Sequence, residues 1–212
     1  MSPPTQAERR AQTRGSILSA AQACFVRDGY EATTIRAVAA EAGVSAASVI
    51  VHFSDKRALL FACFYGEIEA AQGRIWSSLD DGWALPEKLE HCLRVLYAAY
   101  ARHPALSRVM FRESLFLRAE DPPDEQLDPF LTSVAGLFRQ ALERGELRQL
   151  PAEGMVAARG FFALYLAVLI GGLGGYYGEF ESPEAAAEAW TESLRPMLWL
   201  QLRGLGWEAP HE

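Results

Sequence analysis

Apolar residues recur every three or four positions through most of the chain, and this spacing predicts helices throughout. The first helix has an apolar face made of Ile17, Leu18, Ala21, Cys24 and Phe25. A content rich in Ala, Leu, Glu and Arg suits the same architecture. The pattern therefore predicts an all-α protein.

The stretch 34–60 predicts two short helices, a tight turn between them, and the start of a longer helix. Thr34 is a good N-cap for the first short helix, and Gly43 ends that helix because glycine adopts the left-handed conformation that closes a C-terminus. Ser45 caps a second helix over 46–53. Helices joined so closely must cross steeply, with the small Ala39 at their approach, which is typical of a helix-turn-helix.

In a helix-turn-helix, the second helix enters the major groove of DNA with its first residues toward the bases. The sequence places Ala46, Ala47 and Ser48 there. The longer helix that follows has Lys56 in its first turn, a position where a positive charge is unfavourable for the helix dipole. We therefore expect Lys56 to have another partner, and DNA phosphate is the obvious one.

Further helices follow the helix-turn-helix, and proline, glycine and acidic segments separate them. The longer helix that begins near Lys56 continues through Trp76. A helix of this length is too long for a small DNA-binding domain alone, so we expect it to join two domains. An acidic, proline-containing loop is expected at 119–125. The other helices are predicted at about 86–102, 104–118, 129–144, 152–172 and 183–203.

Charge and cysteine usage narrow the class of protein. The net charge is −7, yet residues 1–60 hold seven Lys/Arg against five Asp/Glu, while the remaining residues hold 13 against 22. This asymmetry fits a local phosphate-binding surface on an acidic body. Three distant cysteines argue for a reducing compartment and for structural thiols rather than a redox sensor. Residues 1–7 carry no signal peptide, and we expect a cytoplasmic protein.

Residues 160–178 form 19 consecutive uncharged positions, which is just long enough to span a membrane. Six of these residues are glycines, so a buried helix or a subunit interface is favoured over a span. A matching apolar stripe follows on the last helix. Two such helices from each of two subunits would form a four-helix bundle. The residues predicted for this dimer interface are Phe162, Leu169, Trp190, Leu194 and Met197.

Residues 12–62 resemble the tetracycline-repressor (TetR) family of bacterial regulators. The matching residues are Ile17 to Phe25, Gly29-Tyr30, Thr33-Thr34-Ile35, Ala39, Ala42-Gly43-Val44-Ser45, Phe53, Lys56 and Ala58-Leu59-Leu60. The chain departs from the family in its recognition helix. Ala46, Ala47 and Ile50 stand where the family usually has a lysine or another polar residue, a glycine and a tyrosine, so a basic group and a phenol are missing.

The resemblance implies a helix-turn-helix domain over 1–55 and a helical ligand-binding and dimerisation domain over 56–212. It implies a homodimer that binds a palindromic operator in double-stranded DNA, most simply as a repressor, and that releases it when a small hydrophobic or cationic inducer binds. The DNA-binding residues are predicted to be Thr33, Thr34, Arg36, Ser45, Ala46, Ala47, Ser48, Ile50, His52 and Lys56. Arg9, Arg10 and Arg14 either touch phosphate or form a solvated face.

For an inducer, the resemblance implies a hydrophobic cavity, whereas core packing is the favoured explanation for each aromatic residue taken alone. The candidate ligand-binding residues are Phe64, Tyr97, Phe111, Glu113, Phe138 and Tyr165. Glu113 lies within the apolar stripe of its helix and either pairs with an arginine from a neighbouring helix or serves as a pocket carboxylate. His91 and Cys92 are weak metal candidates, and no metal or cofactor is expected.

No nucleophile-base pair, phosphate loop or metalloprotease motif occurs in the sequence, so we expect no enzyme. We also expect no membrane partner. The alternative function is a helical small-molecule-binding or interaction protein that has kept the fold but lost specific operator binding. The substitutions at Ala46, Ala47 and Ile50 motivate that alternative.

Overall fold

The computed structural model describes residues 5–114 and 127–207, and within these ranges the chain is helical with no strand, which confirms the predicted all-α class. A short 3-10 helix, Pro151–Gly154, precedes the eighth helix. The predicted loop at 119–125 and the end of the predicted helix 104–118 lie outside the described residues. The nine α-helices of these ranges are α1 Gln6–Asp28, α2 Ile35–Ala42, α3 Ala46–Phe53, α4 Lys56–Ser78, α5 Leu85–Ala101, α6 Pro104–Ser114, α7 Leu127–Glu143, α8 Met155–Leu173 and α9 Pro183–Gly204.

Helices α2, α3 and α9 each begin directly after a threonine or serine cap residue. The side chains of Thr34, Ser45 and Ser182 each accept a hydrogen bond from a backbone N–H in the first turn of α2, α3 and α9. Gly43 has φ 67° and ψ 31°, the left-handed conformation in which a side chain would be strained. These local signals set the length of α2 and the start of α3.

The described residues form two compact units whose limits differ from the predicted division into 1–55 and 56–212. The first unit runs through Glu67 and also includes the segment that begins at His103. The second unit contains Ile68–Arg102 and the residues from Leu127 onward. The boundary therefore falls within α4, and α6 belongs with the helix-turn-helix.

Packing in the first unit explains this correction. Its core is built from α1 to α4, and Leu106 and Val109 of α6 pack against it. Apolar contact groups α6 with the first unit, although the chain passes through α5 before reaching α6. The fully buried residues of this core include Ile17, Ala21, Cys24, Val38, Val49, Leu59 and Leu60.

The core of the second unit lies between α5, α7, α8 and α9 and is rich in aromatic rings. Tyr97 stacks on Tyr165 with ring centroids 5.4 Å apart, and Trp190 meets Tyr97 edge-on at 5.6 Å. The hydroxyl of Tyr97 donates to the carbonyl oxygen of Tyr165 at 3.1 Å. Trp190, Leu194 and Leu169 are all buried within the protomer. The prediction that these three residues form the dimer interface is therefore wrong.

The segment Pro151–Leu173 is long and apolar enough to span a membrane, but 44% of its most apolar stretch is buried inside the protein. Such burial is typical of a core helix in a folded domain. Its apolar character is therefore explained by packing against α7 and α9.

Ion pairs join α5 to α9 beside this core. Glu90 pairs with Arg195 at 2.8 Å and with Arg94 at 2.9 Å, and Arg94 also reaches Glu188 at 2.6 Å. Burial raises the pKa of Glu90, but the two arginines together outweigh it and leave the pKa below its ordinary value. Glu90 therefore stays ionised, and its contribution to stability is present above the ordinary carboxyl pKa.

We predict that Gly172→Ala destabilises the protein because the indole ring of Trp190 occupies the space that a side chain would need. An added Cβ would come within 3.0 Å of that ring, closer than packed atoms approach. Overpacking of this kind costs about 1–3 kcal/mol of unfolding free energy. Urea denaturation of the variant and the wild type measures the difference.

The matched control is Gly73→Ala, since Gly73 lies in the interior of α4 with no other group within 4 Å of an added Cβ. Alanine there should be neutral or stabilise by about 0.5–1 kcal/mol. If both alanine variants unfold at the same urea concentration, the close packing of α8 on Trp190 is contradicted.

Candidate DNA-binding surface

The steep crossing that the sequence predicts between α2 and α3 is confirmed. Their axes are bent by 105°, within the range of helix-turn-helix motifs. The N–H of Val44 donates to the carbonyl of Ala39 at 3.0 Å, which closes the end of α2. Ala39 and Val49 are buried where the two helices meet. This turn presents α3 on the surface of the first unit.

One face of α3 enters the core and the opposite face is exposed. Val49 and Phe53 are buried. Val51 lies two residues from each of them, about 200° around the helix from Val49, so it must point outward. It is 73% exposed, and Ile50 is 45% exposed. Ala47, one turn before Val51, is exposed as well.

Val51 is the most exposed large hydrophobic residue of this face and is not among the residues predicted to bind DNA. The signal was nevertheless present, because the spacing between the two core residues of so short a helix already defines its outer face. The exposed positions of α3 confirm Ala47 and Ile50 as surface residues. Ala46 and Ser48 are half-buried.

Thr33 does not belong to this surface. It is buried, and its hydroxyl donates to the carbonyl oxygens of Gly29 at 2.7 Å and Cys24 at 3.2 Å. It therefore fixes the connection between α1 and α2, and its predicted contact with DNA is wrong. Thr34 is exposed and caps α2 by accepting from the N–H of Ala37 at 3.1 Å.

Lys56 has partners within the protein that the sequence did not reveal. Its ammonium donates to the backbone carbonyls of Tyr30 at 2.9 Å and Glu31 at 3.2 Å. The same group lies 4.4 Å from the centroid of the Tyr30 ring. The unfavourable position at the start of α4 is thus explained by contacts with the α1–α2 connection. A lysine ammonium has three N–H donors, and two of them serve these carbonyls.

Exposed arginines also occur on α1 and α2 of the first unit. Arg9 and Arg10 lie on α1, Arg36 lies on α2, and none of the three forms an ion pair within the part of the chain that the structure describes. Arg14 is also exposed, with its guanidinium 4.9 Å from the centroid of the Phe53 ring. His52 is half-buried beside the same ring. The first unit therefore combines an exposed apolar face on α3 with exposed arginines on α1 and α2, of which Arg14 lies next to the end of α3.

Glu113 takes the structural role that the sequence left open. Its carboxylate lies 3.8 Å from Arg57 and 3.3 Å from Arg112. Arg57 also donates to the backbone carbonyl of Glu113 at 3.0 Å, and Arg112 pairs with Glu31 at 2.7 Å. These contacts tie the end of α6 to α4 and to the connection before α2, all within the first unit.

The aromatic residues predicted to bind an inducer divide into two groups. Tyr97 and Phe138 have no accessible surface, so neither lines a space that holds even a water molecule, and Tyr165 is also buried. Burial raises the pKa of Tyr97, which keeps its hydroxyl neutral as a donor. These three residues are core residues in this structure, and their contact with an inducer stays a prediction. Phe64 is buried in the first unit and Phe111 is half-buried, and their ligand contacts stay predictions.

The cysteines fit the structural role expected from the sequence. Cys24 and Cys92 are buried, and burial raises the pKa of both the Cys63 and the Cys92 thiol to about 12. A protonated thiol is a poor nucleophile and a poor metal ligand. The ring of His91 hydrogen bonds with the hydroxyl of Ser78 at 2.9 Å. Among the described residues no group of three His, Cys, Asp or Glu side chains is placed to hold a metal ion.

An apolar groove lies on the surface of α8 and α9 in the second unit and contains exposed hydrophobic residues. Leu200 is 75% exposed, and Val156 and Met197 are exposed beside it. Of the predicted interface residues, Met197 lies in this groove, and Phe162 is half-buried on α8. The groove is lined by Pro151, Val156, Ala157, Gly160, Leu164, Met197, Leu200, Gln201, Gly204 and Leu205.

Comparison with known proteins places the helix-turn-helix in a family. Residues 17–63 match the family model of bacterial regulatory proteins of the tetR family. The chain is 27% identical over 139 residues to the transcriptional repressor KstR of Mycobacterium tuberculosis, which covers 66% of this chain and 62% of that repressor. It is 31% identical over 91 residues to the TetC protein of transposon Tn10 from Escherichia coli, which covers 42% of this chain and 46% of that protein. Both alignments span less than two thirds of the relative's own length.

Solved structures resemble nearly the whole chain. FadR of Thermus thermophilus, a TetR-family repressor solved with lauroyl-CoA, is 25% identical with a TM-score of 0.66, covering 94% of this chain and 98% of its own. A TetR-family regulator of Pectobacterium atrosepticum is 23% identical with a TM-score of 0.69, covering 98% and 100%. The second comparison shows the fold alone.

The sequence match falls on the helices whose crossing and caps form the candidate surface, and the structural match extends to the helices of the second unit. The resemblance stated for residues 12–62 is thereby confirmed. The helix-turn-helix of this chain is thus similar to that of the tetR family of bacterial regulatory proteins, and its overall fold is similar to that of TetR-family regulators.

Proposed function

We propose that the protein is a transcriptional repressor that binds a palindromic operator as a homodimer and releases it when a small molecule binds. The observation that carries the proposal is the presentation of α3, which crosses α2 at 105° and turns an exposed face away from the core. Exposed arginines on α1 and α2 supply positive charge for phosphate contacts. A regulator of this kind acts in the cytoplasm, where the DNA is.

The exposed groove on α8 and α9 supports the homodimer. An apolar surface of this kind marks an interaction site, and in a dimer each copy would cover the groove of the other. Two-fold symmetry then pairs the two recognition helices. They read a palindrome when they lie about one turn of DNA, roughly 34 Å, or a multiple of it apart.

For the inducer, we propose a small hydrophobic compound, with acyl-CoA compounds as the first to test. The FadR structure, which is the 25% identical relative, contains lauroyl-CoA. The cationic inducer considered from the sequence loses support, because Glu113 is already paired with Arg57 and Arg112. Inducer binding that favours one arrangement of the dimer would weaken operator binding by about 5- to 150-fold, the usual range of allosteric coupling.

One observation favours the second candidate function, an interaction protein without operator specificity. The exposed face of α3 is apolar, with Val51, Ile50 and Ala47 where contacts to bases would be made. Such a face also suits a protein partner. The two functions differ in whether the full chain selects a DNA sequence.

The test of the proposed function is a binding selection with the full chain and a library of random duplexes, followed by affinity measurement on the selected sequence. We expect an inverted repeat, bound with strong salt dependence. Addition of an acyl-CoA series to the complex then tests release. Recovery of random sequence after several rounds would contradict the repressor and favour the interaction protein.

We predict that Lys56→Met has two effects, because two N–H groups of Lys56 serve backbone carbonyls and the third would donate to a phosphate in the DNA complex. Loss of the charged hydrogen bonds should lower the unfolding free energy by about 1–2 kcal/mol. Loss of a phosphate contact should reduce the slope of log affinity against log salt by about 0.9 per half-site. Urea denaturation and salt titration measure the two effects separately.

Arg36→Met is the control, since Arg36 is exposed and has no ion pair in the described ranges. It should reduce the salt slope while leaving the unfolding free energy unchanged. If Lys56→Met is less stable but keeps the wild-type slope, Lys56 is a structural residue only.

We predict that Leu200→Glu produces a monomer, because it places a charge in the exposed apolar groove, where Leu200 is 75% exposed. Sedimentation velocity at micromolar concentration should show a dimer for the wild type. The control is Leu142→Glu, which alters an exposed leucine of α7 and should remain dimeric. A dimeric Leu200→Glu protein would exclude this groove as the interface. Trp190→Glu is unsuitable as a test, since Trp190 is buried and a charge at that position would destabilise the core of the second unit.

A further inference from the structure

The exposed face of α3 has an unusual chemistry for a helix that is presented to DNA. Ala47, Ile50 and Val51 are spaced i, i+3 and i+4, so their side chains lie side by side on it. Ile50 is 45% exposed and Val51 is 73% exposed. β-Branched side chains have one strongly preferred rotamer in a helix, so this apolar patch is rigid before it meets a partner.

Hydrogen-bonding groups are scarce on the same helix. The sequence of α3, AASVIVHF, contains no Arg, Lys, Asn or Gln. The hydroxyl of the preceding Ser45 accepts from the N–H of Ser48 at 3.1 Å to cap the helix, and Ser48 and His52 are half-buried. The side chains that make bidentate contacts with guanine or adenine are therefore missing from α3.

The major groove offers one apolar feature to such a patch, the C5-methyl group of thymine. We propose that the protein recognises its operator through thymine methyl groups packed against Ala47, Ile50 and Val51, so that each half-site is thymine-rich where it faces α3. This inference rests on the proposed function and specifies the class of operator. Affinity would come from the arginines and Lys56 on phosphates, and sequence preference from the methyl groups.

The size of the effect follows from the area that a methyl group buries. Removing one buried methyl group weakens binding about fourfold. Because a palindrome contains each contact twice, replacing one thymine with deoxyuridine in both half-sites should weaken binding about 16-fold. Deoxyuridine pairs like thymidine and lacks only the methyl group, so the substitution leaves every hydrogen bond of the base pair in place.

The experiment uses the full chain and the duplex selected from the random library. Each thymine position is replaced with deoxyuridine in both half-sites, and affinity is measured by fluorescence anisotropy at fixed salt. For the wild type we expect at least one position in each half-site with a roughly 16-fold loss. For Ile50→Ala and Val51→Ala we expect the ratio of thymidine to deoxyuridine affinity at that position to fall toward 1.

Val26→Ala is the matched control, because Val26 is an exposed valine of α1 in the same unit, 49% exposed. It should keep the wild-type ratio. The readout is the change of this ratio between the wild type and a variant, so a general effect of the variant on stability, or of deoxyuridine on DNA shape, cancels.

The outcomes separate this inference from the proposed function. A selected palindrome whose affinity does not change with deoxyuridine at any position overturns the inference and leaves the repressor standing. A deoxyuridine effect that persists in both Ile50→Ala and Val51→Ala also overturns it, since other residues then read the methyl groups. Failure to select any sequence overturns the proposed function itself, and with it this inference.

Discussion

The candidate DNA-binding surface depends on the packing of Val49 and Phe53, the two residues of α3 that are buried in the core. Both side chains enter the core of the first unit, and Ala39 allows α2 and α3 to approach closely there. Because the two buried positions fix the rotation of an eight-residue helix, they also determine that Val51 and Ala47 face outward. The same packing that stabilises the helix-turn-helix therefore decides which residues meet a partner.

Residues that are distant in sequence stabilise that arrangement through their contacts with the α1–α2 connection. Lys56 donates to the carbonyls of Tyr30 and Glu31, while Arg112 of α6 pairs with the Glu31 carboxylate. Thr33 is buried in the same connection and bonds to Gly29 and Cys24. Exposed ion pairs such as that of Arg112 contribute little individually, so the buried Thr33 hydroxyl and the Lys56 contacts are the more important of these polar links.

In the second unit, α8 and α9 contribute side chains both to the core and to an exposed apolar groove. Leu169 and Trp190 point into the core with Tyr97 and Tyr165, whereas Val156 and Leu200 point outward. Gly172 allows α8 to lie directly against the indole ring of Trp190. A helix that is apolar on more than one side serves two surfaces, and this explains why α8 resembles a membrane span in composition while much of it is buried.

The sequence by itself determined the elements: the helical periodicity, the caps at Thr34 and Ser45, and the left-handed Gly43 depend on neighbouring residues, so the all-α class and the helix-turn-helix were predicted correctly. Which apolar residues face inward was decided only by tertiary structure. A single sequence does not distinguish an apolar stripe that faces a core from one that faces an interface. For this reason Trp190 of α9 is predicted in the interface, whereas it packs in the core. Likewise, the partners of Lys56 and Glu113 lie on segments distant along the chain, and only folding brings their carbonyls and guanidinium groups within hydrogen-bonding distance.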